Sequence, residues 1–314
     1  MFARLRLSLL AGALAGALAT FASFAATPAP GNPHHSAVFG GGPFYSGGQA
    51  VMDDLRASGF DTVILWSIHV DAKTGNLILN DKLLVADGRY VGDPDWPSRL
   101  ATLKRQPTGV KRIEVSIGSG GTNDFAAIRE LVAAQGSGPG SILYRNFQAL
   151  RAATGADAAN FDDESTYDLD SSARFGNMLS ALGYRLALVP YTKQSYWRSL
   201  KDALGGKVDT IYLQVYDGGA RNNPAAWSSA MGMSVNPGLW SLHGKACLQG
   251  DSPAVVRTKM STWKATAGIA GGFMWLYDDM QTCGAGAGAA QYAQAIEAAI
   301  RPAIRPAISP AVGP

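Results

Sequence analysis

Acidic side chains are concentrated in one stretch, Ala156 to Glu164, whose sequence is A-D-A-A-N-F-D-D-E. Successive side chains of a strand point to opposite faces, so Asn160, Asp162 and Glu164 would share one face. Burying three polar groups together is costly unless they bond to each other or to a ligand. Neighbouring carboxyls also push their pKa values apart, so that one stays protonated while the other is ionised. The stretch therefore predicts general acid–base chemistry, although a solvated acidic strand end would have the same composition.

The elements that must position this stretch alternate between apolar strand-like runs and helical patterns, which is typical of βα units around a parallel sheet. The predicted strands are Ala37–Phe39, Thr62–Ile68, Lys111–Ile117, Ala156–Glu164, Leu186–Pro190, Thr210–Val215, Gly238–Leu242 and Gly272–Leu276. An inserted hairpin or turn is expected near Leu77 to Leu79. Strands of this number in about 260 residues predict one α/β domain, a closed (β/α)8 TIM barrel. An open doubly wound sheet is the alternative, weakened because no Gly-x-Gly-x-x-Gly turn follows the first strand.

Polar and aromatic residues collect where the predicted strands end, which is the rim where barrel enzymes carry their chemistry. These residues are Ser116, Asp162, Glu164, Tyr191, Gln214, Tyr216, Asp217 and Trp275. Chance explains any one of them more easily than the whole set.

The two ends of the 314-residue chain differ from its middle. Residues 1–25 resemble a secretory signal, with Arg4 and Arg6 before an apolar run and small residues at the cleavage positions. Residues 26–36 are expected to be a linker, residues 37–300 the catalytic domain, and the Pro-spaced residues 301–314 a disordered tail. These patterns predict a secreted or periplasmic protein with no membrane attachment after signal cleavage.

The charge and cysteine content limit the partners. Removing Arg4 and Arg6 lowers the formal net charge from +3 to +1, and no basic run with interleaved aromatics predicts nucleic-acid binding. Cys247 and Cys283 are the only cysteines, too few for a structural zinc site. In an exported chain they are expected to form a disulfide between the loops after the seventh and eighth strands. No metal or cofactor is expected, and the chain is expected to be a monomer.

Four motifs together resemble glycoside hydrolase family 18, the family of chitinases and endo-β-N-acetylglucosaminidases. D-A-A-N-F-D-D-E from Asp157 resembles the family's fourth-strand signature D-x-x-D-x-D-x-E. S-I-G-S-G-G from Ser116 resembles its third-strand Ser-x-Gly-Gly element. Q-V-Y-D from Gln214 resembles its sixth-strand segment, and G-G-F-M-W from Gly271 its eighth-strand tryptophan. The matches occur in order on the expected strands.

One position departs from the family pattern. Asn160 stands where the family usually has its middle Asp. An amide cannot share a proton with Asp162, but it can donate a hydrogen bond to it. A changed pH profile is therefore expected, and an inactive sugar-binding descendant remains an alternative.

The resemblance implies retaining hydrolysis of β-linked N-acetylglucosamine glycans, assisted by the substrate's own acetamido group. In this scheme Glu164 is the general acid, Asp162 stabilises the oxazolinium intermediate, and Tyr216 positions the acetamide. Trp275 would stack on the sugar. The remaining candidates are Asn160 and Asp157 in the signature, with Asp157 supporting the strand, and the lining residues Gln214, Tyr191, Asp217, Ser116, Trp66 and Trp227. Asp278 and Asp279 are expected to lie in a solvated loop, and most other tryptophans to pack in the core.

Two other classes of function compete with this prediction. A non-catalytic carbohydrate-binding protein on the same scaffold is disfavoured because both Asp162 and Glu164 are present. A metal-dependent hydrolase would use the acidic stretch as ligands, but His69 and His243 follow separate strands. The expected partner is an oligo- or polysaccharide that contains N-acetylglucosamine.

Overall fold

The computed structural model describes residues 36–301. The expected signal segment, the linker up to residue 35 and the tail from residue 302 lie outside the described residues. Ser36, predicted as the last linker residue, already begins the first strand. Arg301, predicted as the start of the tail, still pairs with Glu297 one helical turn earlier.

The strands form a closed barrel with one antiparallel extension. The described residues contain β1 (Ser36–Gly40), β2 (Thr62–Val70), β3 (Leu77–Leu79), β4 (Lys82–Ala86), β5 (Arg89–Tyr90), β6 (Arg112–Ile117), β7 (Ala158–Phe161), β8 (Arg185–Leu188), β9 (Val208–Gln214), β10 (Asn236–Trp240) and β11 (Gly272–Trp275). Parallel pairing runs in the order β1-β2-β6-β7-β8-β9-β10-β11, and β11 pairs again with β1. The predicted eight-stranded (β/α)8 barrel is confirmed.

Helices surround this barrel. They are α1 (Gly42–Ser46), α2 (Gly48–Ser58), α3 (Trp96–Thr102), α4 (Asp124–Gln135), α5 (Ile142–Thr154), α6 (Leu169–Ala181), α7 (Gln194–Leu204), α8 (Pro224–Met231), α9 (Pro253–Ala267), α10 (Tyr277–Thr282) and α11 (Ala289–Ile300). Several begin at residues whose side-chain oxygen accepts a backbone N–H, such as Asp168, Asn223 and Ser252. These caps satisfy groups that the first helical turn leaves unpaired. No helix within residues 36–301 is long and apolar enough to span a bilayer.

The insertion predicted after the second strand is a small antiparallel sheet. β3 pairs with the end of β2, β4 pairs with β3, and β5 pairs with β4. The insertion therefore lengthens the wall of the barrel beside the C-terminal end of β2.

Two apolar clusters stabilise the barrel. The larger lies between the strands and the helices. The smaller fills part of the barrel interior and includes Phe39, Tyr212 and Phe273, with Trp66, Tyr216, Trp275 and Leu276 packed against it. The interior cluster thus supports aromatic side chains at the C-terminal mouth.

The rest of the barrel interior holds a buried ionic network. The Arg112 guanidinium donates to both carboxylate oxygens of Asp209 at 2.7 and 2.9 Å and, through Nε, to Glu114 at 2.6 Å. The Tyr212 hydroxyl donates to Glu114 at 2.9 Å. Glu114 is fully buried, and burial raises its pKa while the charge of Arg112 opposes the rise. Pairing offsets the cost of placing these charges in the interior.

Candidate active site

A cavity of about 290 Å³ opens at the C-terminal mouth of the barrel. It is lined by side chains that follow several different strands: Trp66, Ser119, Gly120, Asp162, Glu164, Tyr191, Gln214, Tyr216, Asp217, Gly218, Trp240 and Trp275. Eight of these were predicted from the sequence as site residues.

The turn after β7 aims the acidic side chains into this cavity. β7 ends at Phe161, three residues before the predicted end. The Asp163 carboxylate then accepts backbone N–H groups from Ser165 at 3.2 Å, Thr166 at 2.8 Å and Tyr167 at 2.7 Å. Asp163 points away from the cavity, as the strand alternation predicts. These hydrogen bonds fix the turn. Asp162 and Glu164 therefore both face the cavity although they lie beyond the end of the strand.

Asp162 and Glu164 form a hydrogen-bonded carboxyl pair. Burial, followed by the neighbouring charge of Glu164, raises the pKa of Asp162 well above its usual range. Burial also raises the pKa of Glu164, although hydrogen bonds from Gln214 and Asp162 oppose the rise. Two carboxyls in contact share a proton because both cannot ionise cheaply. The pair therefore keeps a proton at a higher pH than an isolated Asp or Glu.

Gln214 holds the pair in place. Its amide nitrogen lies 3.2 Å from Asp162 Oδ1, 3.4 Å from Glu164 Oε1 and 3.2 Å from the Val189 carbonyl. The side chain is 7% exposed, so its donors have little access to water. Gln214 therefore supports both carboxyls at once, a more specific arrangement than the predicted lining role.

Two glycines of the third-strand element allow a close approach to the pair. Gly118 has φ +85°, and a Cβ there would lie 2.7 Å from the Asp162 carbonyl oxygen. A Cβ on Gly120 would lie 3.1 Å from Glu164 Oε2. The loop after β6 therefore depends on glycine at position 118 for its contact with the acidic turn, whereas a Cβ at position 120 would press on the Glu164 carboxyl.

Aromatic rings form the floor of the cavity. The Trp275 ring lies nearly parallel to that of Tyr216, with centroids 6.2 Å apart and planes 19° apart. Trp66 meets Trp275 edge-on at 4.5 Å. Trp275 is only partly buried, so part of its surface remains available in the cavity.

Two tyrosines at the cavity remain protonated. Burial and the charges of Asp162 and Glu164 raise the pKa of Tyr216 well above its ordinary value. Burial, then the charge of Glu164, raises the pKa of Tyr191. Both hydroxyls are therefore hydrogen-bond donors throughout the neutral range.

A hydrogen-bonded chain fixes the end of β2, which carries Trp66. Asn80 from the inserted sheet donates to the Trp66 carbonyl at 3.1 Å. Ser67 Oγ lies 3.1 Å from His69 Nε2, and His69 Nδ1 lies 2.9 Å from Asp124 Oδ2. Ser67 is fully buried, so this Ser-His-Asp chain braces the strand rather than presenting a nucleophile. Sequence reasoning missed it because its members come from β2 and α4.

Neither Asn160 nor Asp157 lines the cavity. The Asn160 amide donates to Glu114 at 3.2 Å and not to Asp162. Glu114 lies on β6 in register with Ala158, two residues before Asn160. Asp157 precedes β7 at the opposite end of the barrel from the cavity, where it accepts the Ile113 N–H at 2.8 Å and a bond from Lys104. Its position fits the supporting role and excludes contact with anything in the cavity.

Ser116 and Trp227 do not reach the cavity either. Ser116 is fully buried on the inner face of β6, in register with Asn160. Trp227 lies on the buried side of α8 and donates its indole N–H to Asn222 at 3.0 Å. Trp227, which was predicted to line the site, is instead a packing residue.

The acidic pair after β11 is structured, contrary to the expected solvated loop. Asp278 accepts the Gly41 N–H at 2.9 Å, and Asp279 accepts the indole N–H of Trp240 at 2.8 Å. Both belong to the short helix α10, which the sequence pattern did not reveal. Trp240, one of five candidate sugar platforms of which most were expected to pack, lines the cavity.

The predicted disulfide between Cys247 and Cys283 is confirmed, with Cα atoms 5.7 Å apart. It joins the loop after β10 to the end of α10. Across residues 36–301, no group of three or more His, Cys, Asp or Glu side chains is arranged to hold a metal ion.

No protein-family model and no curated protein sequence matches the chain. Solved structures do match. The catalytic domain of a family GH18 chitinase from the fern Peteris ryukyuensis superposes with a TM-score of 0.56 at 14% identity, covering 83% of this chain and 98% of that one. The chain has the GH18 chitinase fold.

Other neighbours agree on this fold. A variant of class V chitinase from Nicotiana tobaccum, solved in complex with NAG4, has a TM-score of 0.54 at 12% identity and covers 85% of this chain and 99% of that one. The spore cortex-lytic enzyme SleL of Bacillus cereus has a TM-score of 0.54 at 12% identity, and the match covers 84% of this chain and 73% of that one. The resemblance to GH18 chitinases found in the motifs thus extends over most of the chain. At such identities the likeness establishes the fold alone.

Proposed function

We propose that this protein is a retaining glycoside hydrolase that cleaves β-linked, N-acetylglucosamine-containing glycans with help from the substrate's acetamido group. The observation that carries the proposal is that Asp162 and Glu164, whose pKa values are both raised by burial, line one cavity with Tyr216 and Trp275. The chitinase neighbours support the same class of reaction, and one of them was solved with an N-acetylglucosamine tetramer.

Glu164 is the general acid. Burial raises its pKa above that of an ordinary glutamic acid, and it is the less buried member of the pair. It gives its proton to the glycosidic oxygen as the bond from that oxygen to the anomeric carbon breaks. The proton then leaves with the departing sugar, and Glu164 becomes a carboxylate.

The nucleophile is the carbonyl oxygen of the substrate's 2-acetamido group. As it bonds to the anomeric carbon, positive charge develops on the resulting oxazolinium ring. Asp162, ionised once Glu164 holds the shared proton, stabilises that charge. Tyr216 donates a hydrogen bond to the acetamide oxygen and holds it below the anomeric carbon. Trp275 carries the sugar ring on its exposed surface.

Hydrolysis completes the cycle. The Glu164 carboxylate takes a proton from water, and the resulting hydroxide bonds to the anomeric carbon while the acetamide oxygen leaves. Two displacements at the same carbon retain its configuration. The released sugar therefore forms first as the β-anomer, which proton NMR of a fresh digest detects.

A carbohydrate-binding protein without catalysis is the alternative. Burying two carboxyls in contact is costly, and sugar binding alone does not need a shared proton. The site keeps this arrangement and supports it with Gln214, which favours catalysis.

Export to the periplasm or the medium belongs to the same proposal. It is supported by the signal-like residues 1–25 and by the Cys247–Cys283 disulfide, which persists in oxidising compartments.

The test is digestion of a glycan panel that contains chitooligosaccharides, N-glycans and peptidoglycan. Wild type is expected to cleave at least one of them, and Glu164→Gln to reduce kcat on that substrate by roughly 10²- to 10⁴-fold. Glu130→Gln, on the exposed face of α4, is the matched control and should cleave like wild type. Equal rates for Glu164→Gln and wild type would disprove the assigned role. Binding without cleavage by wild type would favour the alternative.

A further inference from the structure

Trp240 occupies the same level of the barrel as Trp275. It is the last residue of β10, and its Cα is in register with that of Trp275 on the adjacent strand. Parallel neighbours in register project to the same side of the sheet. Both side chains therefore reach the mouth of the barrel, where both line the cavity.

The far side of the Trp240 ring is covered. The His243 imidazole stacks on it, with centroids 3.9 Å apart and planes 14° apart. His243 is itself held, because Nδ1 lies 2.9 Å from the Ser241 carbonyl and its backbone pairs with Gln249. A carbonyl oxygen only accepts, so Nδ1 carries the proton in this contact.

The polar edge of the ring is also satisfied. Trp240 Nε1 donates to Asp279 at 2.8 Å, and the Asp279 backbone carbonyl accepts the N–H of Cys283. Cys283 is joined by the disulfide to the loop that contains His243. The ring is thus fixed in one orientation from two sides.

Core packing does not account for this arrangement. Trp240 belongs to neither apolar cluster of the barrel, whereas Trp66 and Trp275 pack on the interior cluster. Holding a large side chain in one rotamer costs entropy that burial normally offsets. An oriented aromatic ring with one side in an open cavity is suited to binding an apolar ring face.

We infer that Trp240 is a second sugar platform, which binds an N-acetylglucosamine unit of the same glycan next to the unit on Trp275. The inference rests on the proposed hydrolase function and adds a determinant of substrate affinity. The ligand is a pyranose with equatorial substituents such as N-acetylglucosamine, because the axial C–H groups of such a ring form an apolar face that can stack on an aromatic side chain.

The experiment compares steady-state kinetics on N-acetylglucosamine hexamers for wild type, Trp240→Ala, Trp240→Phe and His243→Ala. Trp240→Ala should raise KM about tenfold, with a smaller effect on kcat, because the platform does not contact the reacting bond. Trp240→Phe should recover most of the loss, and His243→Ala should raise KM about threefold by freeing the indole. Trp263→Phe on α9, outside the cavity, is the control.

Binding by the inactive Glu164→Gln protein provides a second readout. Calorimetry should show Trp240→Ala in that background weakening hexamer affinity about tenfold. An unchanged KM and affinity in Trp240→Ala, with hexamer cleavage intact in wild type, would overturn the inference. A fall in kcat alone would overturn it as well. If Trp240→Ala does not fold by circular dichroism, the Phe and His243 variants decide the question. Absence of both cleavage and binding in wild type would instead refute the proposed function.

Discussion

Asn160 donates its side-chain amide to the Glu114 carboxylate across 3.2 Å in the barrel interior. The amide therefore bonds to the buried ionic network below the cavity and not to the Asp162–Glu164 pair above it. An Asp at this position, as in the GH18 signature that the stretch resembles, would place two carboxyls in this contact.

Asn160→Asp is expected to destabilise the protein by about 2–3 kcal/mol at neutral pH, because a buried like-charge contact replaces a hydrogen bond. The new carboxyl would have a raised folded-state pKa, so the penalty accumulates as pH rises above about 4 and fades in acid. Thermal unfolding at several pH values measures it. Asn223→Asp, which keeps the cap of α8, is the matched control. A variant as stable as wild type at pH 8 would contradict the account.

Glu164→Gln is expected to stabilise the protein by about 1–2 kcal/mol at pH 7 to 8, as relief of an active-site like-charge contact commonly does. The raised pKa values of the pair mean that wild-type stability is fully present in acid and declines as pH rises through them. The variant should lose less stability over that range and approach wild type near pH 3. Denaturant unfolding across pH measures the two slopes. Parallel slopes would argue against a shared proton.

Asp163→Ala is expected to cost about 1–2 kcal/mol and to lower kcat, because three backbone N–H groups in the acidic turn lose their acceptor. Asp163→Asn retains one acceptor oxygen and should have a smaller effect on both quantities. Unfolding and steady-state kinetics should be measured on the same preparations. Lost stability with an unchanged kcat would show that the turn does not position Asp162 and Glu164.

Gly120→Ala is expected to reduce kcat about tenfold with little loss of stability, because the added methyl group must displace the Glu164 carboxyl. Gly140→Ala is the control, since a Cβ there meets no atom within 4 Å. Full activity in Gly120→Ala would mean that the position of Glu164 tolerates a shift of this size.

Periodicity predicted the barrel well, because a buried parallel strand such as Thr62–Val70 has a continuous apolar sequence that few other structures allow. Alternation also placed Asp163 on the opposite side from Asp162 and Glu164. The strand that justified this alternation ends at Phe161, however, and the orientation persists because of the hydrogen bonds of Asp163. The predicted orientation of Asp163 was therefore correct, but its cause is the hydrogen bonding of the turn and not strand alternation.

The partner of Asn160 was beyond sequence reasoning because it depends on which residues of β6 and β7 lie side by side. The Trp240 position was within reach. Gly238 lies on the inner face of β10, because a Cβ there would collide with Phe273. Residues two apart on a strand share a face, so Trp240 lies on the inner face at the end of the strand. The buried position of Trp227 could not be predicted in the same way. Its helix, α8, is too short for the spacing of apolar residues to show which face packs against the core.

The covalent link between Cys247 and Cys283 has a practical consequence for handling the protein. It joins residues 36 positions apart in the sequence, a constraint expected to favour the native state by about 3–4 kcal/mol through the entropy of the unfolded chain. The two tethered segments contain His243 and Asp279, the supports of Trp240. Protein with both thiols reduced should therefore retain the barrel but bind long oligomers with lower affinity. Measured kinetic constants will consequently depend on whether the disulfide has formed.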